Sequence, residues 1–97
     1  MSESPVQQAR VALHIKGRVQ GVGYRFSVVD EAQRLQLTGW VRNTHDGAVE
    51  LVAEGAQVRL QRLVTWCHRG PRGALVTEVE QRWLPYAGQF DGFRIRR

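Results

Sequence analysis

From Arg10 to Lys16 the apolar residues Val11, Leu13 and Ile15 alternate with Ala12, His14 and Lys16, which is the period of a strand with one buried face. Gly17 to Gly23 holds three glycines and reads as a loop. Beyond it Val22, Phe26, Val29, Ala32 and Leu35 recur at spacings of three and four. That spacing predicts a helix with those residues on its buried face and Asp30, Glu31, Gln33 and Arg34 on its solvated side. Thr38 to Asn43 and Ala48 to Glu54 predict paired strands, because Asp46-Gly47 supplies residues that tolerate positive φ in a hairpin loop. From Ala56 to Arg69 the residues Leu60, Leu63, Val64 and Cys67 form a second helical stripe. Gly70-Pro71-Arg72-Gly73 breaks that helix, and Ala74 to Trp83 returns to strand composition. The odd spacing of Val76 and Val79 there implies a bulge or a change of face. After a turn-rich stretch from Pro85 to Gly92, Phe93-Arg94-Ile95 predicts a short strand at a sheet edge.

The order strand, helix, strand, strand, helix, strand defines an α+β class, the ferredoxin-like α/β sandwich (βαββαβ). It places two helices on one face of an antiparallel sheet, with the short extra C-terminal strand appended. Residues 1–8 are polar, contain Pro5 and lack a period, so they are expected to form a flexible N-terminal extension. Residues 9–97 are then one domain.

Composition narrows the picture. The chain of 97 residues is 42% hydrophobic and 24% charged, enough for one core and unlike a disordered segment. No apolar run reaches the roughly 18 to 20 residues that cross a bilayer, and the first ten residues lack the apolar stretch of a signal peptide, so a cytoplasmic location without membrane association is expected. The single cysteine, Cys67, cannot form an intramolecular disulfide, in keeping with a reducing compartment. A formal charge of +5 attracts phosphates or nucleic acid, but the basic residues are scattered, as on an ordinary solvated surface.

Candidate chemistry lies in two segments. The first, Gly17-Arg18-Val19-Gln20-Gly21-Val22-Gly23-Tyr24-Arg25, is glycine-rich and opens directly into a helix. Backbone N–H groups at a helix start lack intrahelical partners and the dipole is positive there, so the position suits an anion. Neither the P-loop pattern nor the dinucleotide fingerprint fits, since Phe26 stands where the latter needs glycine. Glycines alone also suit an ordinary tight turn. Arg25 adds a planar, permanently charged fork in the first helical turn, where the dipole disfavours a cation and an anionic partner is called for. A surface ion pair is the plainer alternative. In the second segment Asn43 ends a strand on the same face as Val41. Its carbonyl can accept from a water while its amide donates, or it can simply start the turn.

Taken together the two segments resemble the two signatures of the acylphosphatase family. The first matches from Ile15 through Gly17, Val19-Gln20-Gly21-Val22 and Arg25; the second matches from Gly39-Trp40-Val41-Arg42-Asn43 through Gly47, Val49 and Gly55. The visible departure is Tyr24, where the family often has phenylalanine. The resemblance spans about Val11 to Ile95. It implies a hydrolase that converts an acyl phosphate and water to carboxylate and inorganic phosphate, with no metal, cofactor or covalent intermediate. By position, Arg25 would bind the phosphate, the backbone of Val19, Gln20, Gly21, Val22, Gly23, Tyr24 and Arg25 would cradle it, and Asn43 would hold the attacking water. A small-molecule acyl phosphate is the expected partner, inorganic phosphate the expected product and competitive inhibitor, and a monomer the expected state.

Other candidates carry less. His14, His45 and His68 fall on the open sheet face, in the hairpin and near the end of the second helix, so no metal site is expected. Cys67 lies on an apolar stripe, as a buried thiol would. The alternative from another class is a basic RNA-binding ferredoxin-like module, but the aromatic RNP1 pattern is missing from Ala48-Val49-Glu50-Leu51-Val52-Ala53-Glu54, so nucleic acid is not an expected partner.

Overall fold

The computed structural model describes residues 6–97, in the order β1 (Gln8–Arg18), α1 (Tyr24–Arg34), β2 (Thr38–Asn43), β3 (Val49–Ala56), α2 (Gln57–Arg69), β4 (Leu75–Leu84) and β5 (Phe93–Ile95). The strands form one sheet in the order β4-β1-β3-β2-β5. The first four pair antiparallel, whereas β5 lies parallel to β2 at the edge. This is the expected ferredoxin-like layout with its added strand. Most of the expected N-terminal extension, residues 1–5, lies outside the described residues. The first strand starts at Gln8 opposite Ala56, two residues earlier than its apolar alternation indicates.

One face of the sheet carries the core. Val11, Leu13 and Ile15 of β1, Val41 of β2 and Val49, Leu51 and Ala53 of β3 are buried, and α1 covers β2 and β5 while α2 covers β1, β3 and β4. The stripe Leu60, Leu63, Val64 and Cys67 of α2 is buried as its spacing requires. On α1 the expected face differs from the observed one: it includes Phe26 and omits Tyr24 and Val28. Tyr24, Val28 and Ala32 are buried, while Phe26 is 66% exposed. At 3.6 residues per turn, Phe26 stands about 160° around the helix from Val28, whereas 24, 28 and 32 stack at i, i+4.

Two further differences bear on the site. Gly17 and Arg18 belong to β1 rather than to the loop, pairing with Val76 and Leu75 of β4. Opposite them the register shifts between Lys16 and Gly17, so the bulge implied by Val76 and Val79 is present and both valines face the helices. The connection from β4 to β5 crosses the end of the sheet remote from the phosphate loop. There buried Glu54 accepts hydrogen bonds from the N–H of Ala87 at 2.7 Å and of Gly88 at 3.1 Å, and from Arg10 Nε at 2.9 Å.

Candidate active site

Strands β1 and β2 both run antiparallel to β3, so they run parallel to each other and their C-terminal ends share one end of the sheet. The loop 19–23 leaves β1 at that end, and α1 turns back over β2. Helix start and Asn43 therefore come together through topology, although 18 positions separate Arg25 from Asn43.

Gly21 and Gly23 both sit at φ 76°, a left-handed conformation that glycine adopts without steric cost. A Cβ at either would meet nothing within 4 Å, so it is the backbone turn, not space, that calls for glycine. Gly23 is the N-cap of α1, and no side-chain oxygen caps the helix and no acidic residue stands in its first turn. Among the described residues, no protein oxygen accepts from the N–H groups of Gly21, Val22, Gly23, Tyr24, Arg25 or Phe26. Arg25, half-buried in the first turn, has no carboxylate within ion-pair distance among the described residues. Unsatisfied donors, the positive helix end and an unpaired guanidinium thus gather where an anion would neutralise all three.

Asn43 pairs with Val49, whose other neighbour across the sheet is Ile15. Both partners are fully buried on the helix-covered face, so the Asn43 side chain is directed to that face too. Its Oδ1 is buried and has no hydrogen-bond partner. A buried carbonyl left unpaired costs about 1–3 kcal/mol, which a bound donor would relieve. The hairpin after Asn43 is closed by Thr44 N–H to Ala48 O at 2.9 Å and by Ala48 N–H to Thr44 Oγ1 at 3.1 Å. The Thr44 hydroxyl also bonds Asp46 and holds its carboxyl below the usual range.

Loop and hairpin are joined by Gln20, whose Nε2 donates to Thr44 O and to Ala48 O, both at 2.8 Å. The sequence places Gln20 in the cradle but does not reveal this link, because nothing local marks a contact across 24 or 28 positions. On either side of it Val19 and Tyr24 are buried. Tyr24 turns its ring into the core, 5.7 Å from Trp66, and donates its hydroxyl to Cys67 O at 2.6 Å. Only its backbone N–H faces the cradle. Burial first, and then the Cys67 group, hold the Tyr24 phenol well above the ordinary tyrosine range. Burial pushes the Cys67 thiol up to about 12 against the opposing pull of the Tyr24 hydrogen bond. Both groups stay neutral and neither supplies acid–base chemistry near pH 7.

The larger clefts lie elsewhere. One of about 460 Å³ on the open sheet face is lined by His14, Trp40, Arg42 and Arg82 among others, and one of about 310 Å³ lies beside β5. Neither includes Arg25 or Asn43. His14 Nε2 lies 3.8 Å from Asp46 Oδ2, and both His45 and His68 are exposed. No cluster of three metal-ligating side chains occurs among the described residues. The face of β3 turned away from the helices carries Glu50, Val52 and the covered Glu54, with no aromatic residue for base stacking.

Comparison with known proteins places the chain in a family. A model of the acylphosphatase family matches residues 11–95. An acylphosphatase of Pseudomonas paraeruginosa is 52% identical over 91 residues, covering 92% of this chain and 99% of the relative. One of Anaeromyxobacter sp. is 47% identical over 88 residues, covering 91% and 95%. The crystal structure of acylphosphatase from Bacillus subtilis superposes with a TM-score of 0.89 at 35% identity, covering 92% of this chain and 99% of that one. With a family match across nearly all of the described residues and relatives aligned over almost their full length, the chain belongs to the acylphosphatase family.

Proposed function

We propose that Arg25 and the backbone from Val19 to Arg25 hold the phosphoryl group of an acyl phosphate while Asn43 orients the water that attacks it. The reaction is the family's own: as an acylphosphatase the chain hydrolyses the carboxyl–phosphate bond, releasing carboxylate and inorganic phosphate. The observation that carries the division of roles is the buried, unpartnered Asn43 Oδ1 at the same end of the sheet as the uncapped helix start with its unpaired arginine.

Water donates one hydrogen to Asn43 Oδ1 and directs a lone pair at phosphorus. The new P–O bond forms as the bond to the acyl oxygen breaks, and the carboxylate leaves with both electrons. The water's protons remain with the product, dihydrogen phosphate. Negative charge on the equatorial phosphoryl oxygens is met by the Arg25 fork and the loop N–H groups, already oriented before the reaction. A carboxylate is a good leaving group, so positioning and charge stabilisation suffice without metal, strong base or covalent intermediate.

Inorganic phosphate, carrying the same recognised group, is a competitive inhibitor in this account. In this reading the chain acts as one monomeric, cytoplasmic domain whose first strand begins at Gln8. No helix among the described residues is long and apolar enough to cross a membrane. Release of phosphate from benzoyl phosphate in the presence of a metal chelator tests the chemistry. Full activity is expected, and inactivity of well-folded protein would contradict it. Asn43→Ala is expected to lower kcat by about 100- to 1,000-fold, the usual cost of losing one preorganised polar group.

A further inference from the structure

We propose that Gln20 is a positioning residue, one whose side-chain amide fixes the phosphate cradle relative to Asn43; this rests on the roles given above to Arg25 and Asn43. Nε2 spends both its hydrogens on the hairpin, at 2.8 Å to Thr44 O and 2.8 Å to Ala48 O. Thr44 follows Asn43 in the chain, and Ala48 precedes Val49, the residue paired with Asn43 across the strands. The amide therefore grips the backbone next to both members of the pair that carries the water-binding carbonyl. The turn between them is closed by its own hydrogen bonds, so a shift of the Gln20 amide is passed to the backbone on either side of the Asn43–Val49 pair.

The fold of the loop does not require this link. Buried Val19 anchors the loop beside the end of β1, and Tyr24 anchors the start of α1 through Cys67. What Gln20 adds is lateral: it joins the element that binds phosphate to the element that binds water. Only a planar amide on a two-carbon stem offers two diverging N–H donors at this reach. Glutamate would turn carboxylate oxygens toward two carbonyls, asparagine is one methylene short, and methionine keeps the length without a donor.

A misplacement of about 1 Å between reacting groups can lower a rate on the order of 100-fold. Gln20→Met is expected to lower kcat by about ten- to 100-fold while leaving the inhibition constant for inorganic phosphate unchanged, because cradle and Arg25 remain. Combined with Asn43→Ala, the same change is expected to have almost no further effect, since it acts through Asn43. Gln20→Glu supplies a readout that loosened packing would not mimic. Its kcat relative to wild type should recover as pH falls through the carboxyl range, where a protonated carboxyl regains one donor, whereas that of Gln20→Met stays flat. Equal losses of turnover and phosphate affinity, or additivity with Asn43→Ala, would overturn the link while leaving Asn43's role intact. Full turnover in Asn43→Ala alone would overturn that role and this proposal with it.

Discussion

Removing a single hydroxyl, in Tyr24→Phe, separates support of the cradle from chemistry in it. Cys67 O lies in the last turn of α2, where helical carbonyls have no intrahelical partner. The residue four positions on is Pro71, which has no N–H to give. Tyr24 supplies the missing donor at 2.6 Å in a site where both residues are buried. Phenylalanine fills the same volume but leaves that carbonyl unsatisfied, at about 1–3 kcal/mol. For a domain of this size each kcal/mol moves the melting temperature by about 4–8 °C, so the loss is readily measured by urea and thermal unfolding. With the phenol facing away from the cradle, kcat and KM for benzoyl phosphate should be unchanged. Unaltered stability would refute the hydrogen-bond account. A drop in kcat in the folded variant would show that the hydroxyl takes part in the reaction.

Glu54 makes stability depend on acid. Burial raises its carboxyl, but the Ala87 N–H, the Arg10 guanidinium and the Gly88 N–H outweigh burial and leave it below the ordinary value of 4.5. A folded value below the unfolded one gives a contribution that is complete above about pH 4.5 and lost as pH falls through the folded value. Urea midpoints of wild type should therefore fall in acid, and Glu54→Gln should be less stable at pH 7 with a flatter acid limb; parallel curves would contradict this. Cys67, fully buried with its thiol raised to about 12, should react with a thiol reagent only as fast as the protein unfolds. Labelling at the rate of a free cysteine would place it at the surface.

Where burial alone decides the pattern, the sequence suffices. The bounds Thr38 to Asn43, the apolar stripe of α2 and the bulge signalled by Val76 and Val79 all appear in the structure. Phe26 misled because a hydrophobic residue three or four from its neighbours looks buried, whereas the chain spends the buried position on Tyr24, whose hydroxyl hides its role as a core residue. Gly17 reads as loop by its composition, yet its pairing with Val76 is a tertiary fact. Arg25 and Asn43 stand out through the resemblance of their two segments to the family's signatures, since by residue type and local setting alone a surface ion pair and an ordinary turn remain open. The Gln20 bridge and the Glu54 anchor were not, since each joins segments that no period or spacing relates.

The inhibition constant of inorganic phosphate, measured for wild type, Arg25→Gln and Asn43→Ala, tests the assignment of roles most directly. A bidentate charged contact is worth about 1.5–3 kcal/mol, so Arg25→Gln should weaken phosphate roughly tenfold or more while Asn43→Ala binds it as wild type does and turns over slowly. Equal loss of phosphate affinity in both variants, or none in Arg25→Gln, would contradict it.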